Sequence, residues 1–211
     1  MKASPLLCLL LCLSLHSACG GTRGSGAADP APGTTPALSG SEYVTIDNEQ
    51  LVSAAGQLSG KGVVAFRSPL GGIATNKNFK LTVSLDDGGF CELRTHATNT
   101  LGAAVVVGIS RRGDSLFMYH FIGEGRRSER EIKSLAAGEE LSLSIDVHNA
   151  ESPAHVLVWS AREELPTDDN AIFNSDADAS SVGTGAGAFW GISFAGAAVK
   201  EAKVGPALFS H

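Results

Sequence analysis

Leu141-Ser142-Leu143-Ser144-Ile145-Asp146-Val147-His148 alternates an aliphatic with a polar side chain over its whole length. Successive side chains of an extended chain point to opposite sides, so this run reads as a strand with one buried and one polar face. The same two-residue period recurs upstream. Phe79, Leu81, Val83 and Leu85 alternate with Lys80, Thr82 and Ser84. Asp86-Asp87-Gly88-Gly89 then has the composition of a tight turn, and Phe90 to Ala97 resumes an apolar pattern, which predicts a β-hairpin. A second predicted hairpin joins Ala103–Ser110 to Ser115–Ile122 through the tip Arg111-Arg112-Gly113-Asp114. Val156–Ser160, Phe189–Ala195 and Lys200–Phe209 add further strands. Helix-period signals are confined to Asn48–Ala55 and a turn near Ala161–Leu165. Many short strands with few helices predict an all-β, antiparallel two-sheet sandwich of jelly-roll type over residues 42–211.

The chain before residue 42 has a different character. Lys2 precedes the apolar run Pro5–Leu15, which is too short to span a bilayer and suits the core of an export signal. Residues 1–18 are therefore read as a signal peptide. Gly20 to Ser41 is a Gly, Ala, Pro, Thr and Ser tract that cannot bury a core, and 19–41 is read as Cys19 followed by a flexible linker. The segment Leu15-His16-Ser17-Ala18-Cys19 resembles the lipobox of bacterial lipoproteins, with His16 where that family has an aliphatic residue. The resemblance implies lipidation of Cys19 and anchoring to a membrane, the outer membrane or cell surface in a Gram-negative source. Ordinary cleavage after Ala18 is the alternative. Acyl chains contribute about 0.8 kcal/mol per buried methylene, so two or three make a stable anchor.

The strand order over Gly62–Phe209 resembles the concanavalin A-like lectin/glucanase superfamily, which includes laminin-G-like domains. The resemblance is carried by Ser142–His148 followed by His155-Val156-Leu157-Val158-Trp159, and by Phe189-Trp190-Gly191-Ile192-Ser193-Phe194. It implies a jelly roll and leaves activity open, because one fold hosts many functions. Glycoside hydrolases of that superfamily carry Glu-x-Asp-x-Glu on one strand face. No such motif occurs here, and the adjacent pairs Glu139-Glu140 and Glu163-Glu164 point to opposite faces of a strand. The expected role is therefore binding or adhesion without catalysis, toward a carbohydrate or envelope polymer. A structural role against an envelope protein is the alternative.

Other residues bound the chemistry. A formal net charge of −6 excludes a general nucleic-acid binder. Cys91 stands without a cysteine partner in the domain and reads as a buried strand residue, with Arg94 the one neighbour able to favour its thiolate. Asp168, Asp169, Asn174, Asp176 and Asp178 place oxygen ligands at intervals suited to Ca²⁺, against the plainer reading of a solvated acidic loop between strands. No other cofactor is expected. His148 and His155 are placed to face each other across a turn, at spacings that do not suggest zinc. Trp159 and Trp190 lie in apolar strands and are expected in the core. Arg111, Arg112, Arg126, Arg127, Arg130 and Lys133 interleave with acids and read as a solvated face, or as a patch for an acidic glycan or phosphate.

Overall fold

The computed structural model describes residues 38, 43–68, 70–71, 75–102, 104–149, 154–165, 167, 169–176 and 189–209. Its strands in chain order are β1 (Tyr43–Ala54), β2 (Gln57–Phe66), β3 (Asn76–Ala97), β4 (Val105–Arg112), β5 (Ser115–Ile122), β6 (Ser128–Glu131), β7 (Leu141–His148), β8 (His155–Ser160), β9 (Ala171–Asp176) and β10 (Phe189–Pro206). Every pairing is antiparallel.

Two long strands build the architecture. The first half of β3 pairs β7, which continues to β8 and β9, and its second half pairs β4, which continues to β5 and β6. Throughout, β10 runs beside β3, and its earlier half also pairs β2. The ladder is continuous, yet the chain forms two layers because β3 and β10 bend together and pass from one to the other. Leu143, Ile145, Val156 and Val158 from one layer share a single core with Val105, Val107, Ile109 and Met118 from the other. Trp159 and Trp190 are both fully buried, as expected.

The bend lies where a hairpin was expected. Ala195 pairs Phe90 and Ala197 pairs Leu85, so Asp86-Asp87-Gly88-Gly89 is opposed by Gly196 alone. Such a bulge turns the strand without reversing it. A Cβ on Gly89 would lie 2.1 Å from the Gly196 carbonyl oxygen, and Gly196 has φ +55°, so both glycines are required for the two backbones to cross here. For the same reason Phe189–Ala195 and Lys200–Phe209, expected as separate strands, are parts of one strand through Pro206. Asn48–Ala55 is corrected too: its apolar spacing suggested a helix, but it belongs to edge strand β1 and the turn that joins β1 to β2.

Leu38, inside the stretch read as linker, is buried in the core, and its N–H bonds the Gly56 carbonyl at 3.0 Å. The predicted hairpin between β4 and β5 is present, with a tip of Gly113-Asp114 alone, because Arg111 and Arg112, read as part of the tip, pair Leu116 and Ser115.

Candidate functional site

On the solvent side of the layer formed by β3, β4, β5 and β6, cross-strand register lines up Glu92, Gly108, Tyr119 and Glu129. Phe90, Ser110, Phe117 and Glu131 form the neighbouring row. The alternate residues Cys91, Leu93, Val107, Ile109 and Met118 fill the core, so alternation alone sets the polar row outward. Gly108 shapes the centre. A Cβ there would fall 2.1 Å from Tyr119 Cζ, so only glycine lets the phenol lie flat across the neighbouring strand.

Tyr119 Oη donates to Glu92 Oε1 at 3.0 Å, and Arg94 donates to Glu92 Oε2 through Nη2 at 2.6 Å and Nε at 3.2 Å. Both carboxylate oxygens are engaged. Arg94 Nη1 also donates to the Leu101 carbonyl at 3.2 Å. Leu101 packs with Ala65, Ala97, Ala104 and Val106 in a second apolar cluster that walls one side of this face. Above the phenol, the Arg127 guanidinium sits 3.3 Å from the ring centroid, and Arg112 lies over Phe117 at 4.4 Å. Both arginines pair with Glu129 Oε2. Partial burial pushes the Glu129 pKa upward, but hydrogen bonds and charge from Arg112 and Arg127 outweigh it and hold the carboxyl below its usual range. Burial, and then the Glu92 carboxylate, raises the Tyr119 phenol well above its ordinary value, so it remains a donor. Gly88, Phe90, Glu92, Ser110, Arg111, Arg112, Tyr119 and Arg127 enclose a shallow depression of about 270 Å³. Ser110 Oγ is buried in it with no hydrogen-bond partner among the described residues.

The opposite layer uses its polar row differently. Asp146 is fully buried and accepts from Asn78 Nδ2 at 2.8 Å, Leu208 N at 3.1 Å and Phe209 N at 2.9 Å. The end of the chain is thereby clasped over that face. Farther along, His148 and His155 are opposed in register with ring centroids 6.1 Å apart, as expected, and His155 Nδ1 lies 2.6 Å from Asp176 Oδ1.

Of the residues read as calcium ligands, Asp168 and Asp178 lie outside the described residues, as does Cys19. Asp169 is in a turn, while Asn174 and Asp176 stand on β9. The acidic stretch read as a loop thus contains a strand, set by Ile172 and Phe173 packing on the core. Among the described residues, no group of three or more His, Cys, Asp or Glu side chains is arranged to hold a metal.

Cys91 is buried as expected, and Arg94 does not activate it: the two project to opposite sides of β3. Burial, with a smaller contribution from Glu92, pushes the thiol up to about 12. Glu92, Gly108 and Tyr119 escaped the sequence reading as site residues. The available signal was the polar member of each alternating pair, traced across three neighbouring strands.

No protein-family profile and no curated protein matches this chain in sequence. Solved structures do resemble it. A carbohydrate-binding module, CBM66 of Bacillus subtilis, superimposes with TM-score 0.51 at 14% identity, over 77% of this chain and 94% of that one. A functionally unknown protein of Saccharomyces cerevisiae gives TM-score 0.47 at 11% identity, over 80% and 98% of the two chains. Caenorhabditis elegans galectin LEC-6 gives 0.42 at 10% identity, over 80% and 99%. The first likeness concerns the fold alone: the chain is an all-β antiparallel sandwich of the kind seen in that module.

Proposed function

We propose that this protein is a non-catalytic carbohydrate-binding module, exported and tethered to a membrane through a lipid on Cys19. The observation that carries the binding reading is the Glu92–Arg94–Tyr119 array on two strands: Tyr119 and Glu92 are themselves buried, while half-buried Arg94, Phe90 and Phe117 form the rim that meets solvent. Sugar hydroxyls both donate and accept, and they suit fixed carboxylate and guanidinium groups, while the C–H face of a sugar suits aromatic edges. That a solved structure of the same fold is a carbohydrate-binding module supports the reading. The absence of Glu-x-Asp-x-Glu favours binding over hydrolysis.

The test is a glycan array probed with the full chain and with Glu92→Gln. At least one glycan should be retained, and the variant should lose about tenfold in affinity. Retention of no glycan overturns the reading. For the anchor, Cys19→Ala should leave the detergent phase on partitioning; a variant that stays there overturns it.

Edge strand β1 favours a second reading, docking of an envelope protein by strand addition, because Val44, Ile46 and Val52 are exposed along it. Crosslinking from β1 in cells that returned one dominant protein partner would favour it.

A further inference from the structure

Resting on the carbohydrate reading, we infer that the sugar bound in the Glu92–Tyr119 depression carries an anionic group, a uronate carboxylate or a sulfate ester, set against Arg112 and Arg127. Both guanidiniums sit over aromatic rings, with side chains 53% and 41% exposed. Each spends Nη2 on Glu129, and the rest of each guanidinium is the group type that binds carboxylate or sulfate with paired hydrogen bonds.

The balance of charge points the same way. Arg112 and Arg127 share one oxygen of Glu129, Arg94 is matched by Glu92, and among the described residues Arg111 bonds the carbonyls of Leu85 and Gly113. Counting Asp87 and Glu131 on the rim, four carboxylates balance the four guanidiniums over the whole face, and the positive excess is confined to Arg112 and Arg127, which share the single carboxylate of Glu129. Asp87 and Glu131 keep their charge, with oxygens turned to the Gly113 N–H and the Ser115 hydroxyl. Ser110 Oγ, buried in the depression without a partner among the described residues, supplies an unused donor beside this charge. Because the whole chain is acidic, it repels polyanions in general, and retention of one requires a local site.

Paired polymers of one backbone give the test: polygalacturonate against its methyl-esterified form, and dextran sulfate against dextran, each titrated into the full chain at low ionic strength. At least one charged member should bind at least about tenfold more tightly than its neutral partner. The double variant Arg112→Gln, Arg127→Gln should abolish that difference with its melting temperature little changed, and Ser110→Ala should weaken the charged ligand alone. Arg162→Gln, between β8 and β9, should bind as the native chain does. Preference for the carboxylated pair assigns a uronate, and for the sulfated pair a sulfate ester. Equal affinity for charged and neutral polymers, or a double variant that keeps the preference, overturns the inference while the carbohydrate reading stands. Retention of neither these polymers nor any glycan on an array overturns both.

Discussion

The two outer faces of the sandwich come from the same alternating pattern and end in opposite states. On the β3–β7–β8 side, Asn78, Ser144 and Asp146 are buried, and the carboxylate is consumed in holding the last residues of the chain. On the β3–β4–β5 side Glu92 and Tyr119 are buried too and both Glu92 oxygens are engaged, but nothing from the chain terminus covers them among the described residues, and Ser110 Oγ keeps an unused hydroxyl. A polar row is therefore not a site in itself. What separates the two is the residual polar group, Ser110 Oγ, and the exposed Arg112 and Arg127 beside it.

Removing Asp146 should produce the largest effect. Asp146→Ala removes the acceptor of two backbone N–H groups and one of the two acceptors of Asn78 Nδ2, which keeps Ser144 Oγ, and should cost about 3 kcal/mol. A fall in melting temperature of roughly 10 °C would be seen by calorimetry, with glycan affinity of the folded chain unchanged. Loss of affinity in parallel would break the separation of the two faces.

Acid should weaken both faces through the interior they share. Burial holds His96 and His120 down to about 4 against an ordinary 6.5; a bond to the Thr75 carbonyl opposes this at His96 and Lys77 adds to it, while at His120 His155 adds and Asp176 opposes. Each histidine is neutral when folded and takes a proton more readily when unfolded. The stability they support is therefore whole above about pH 6.5, drains away between 6.5 and 4, and changes no further on their account below 4. Melting temperature should fall by an amount on the order of 10 °C across that window, and replacing His120 with Gln should flatten the fall.

Gly108→Ala acts on the open face alone. Its methyl group would meet the Tyr119 ring, costing about 1–3 kcal/mol through overpacking and displacing the phenol from Glu92, so glycan affinity should drop more than stability does. Tyr119→Phe is the mildest change. It keeps the ring under Arg127, removes one hydrogen bond, and should cost about 1 kcal/mol by denaturant titration.

Much of the fold is legible in the sequence because alternation is local: Leu141–His148 and the hairpin through Gly113-Asp114 are read directly from period and turn residues. Asp86–Gly89 shows where that reading stops. Its composition fits a hairpin as well as a sheet-crossing bulge, and the choice is made by Gly196, more than a hundred residues away, which opposes it. The site stayed hidden for the same reason. Glu92, Gly108 and Tyr119 meet only through register across three strands, and no local motif joins them.

Backbone amide shifts of isotope-labelled protein, followed as a bound polysaccharide is titrated in, test the assignment of the open face most directly. The perturbed amides should cluster at Phe90–Arg94, Gly108–Arg112 and Phe117–Phe121, with Ser142–His148 and His155–Ser160 unmoved. Perturbations centred on the Asp146 face, with the Glu92 face silent, would contradict it.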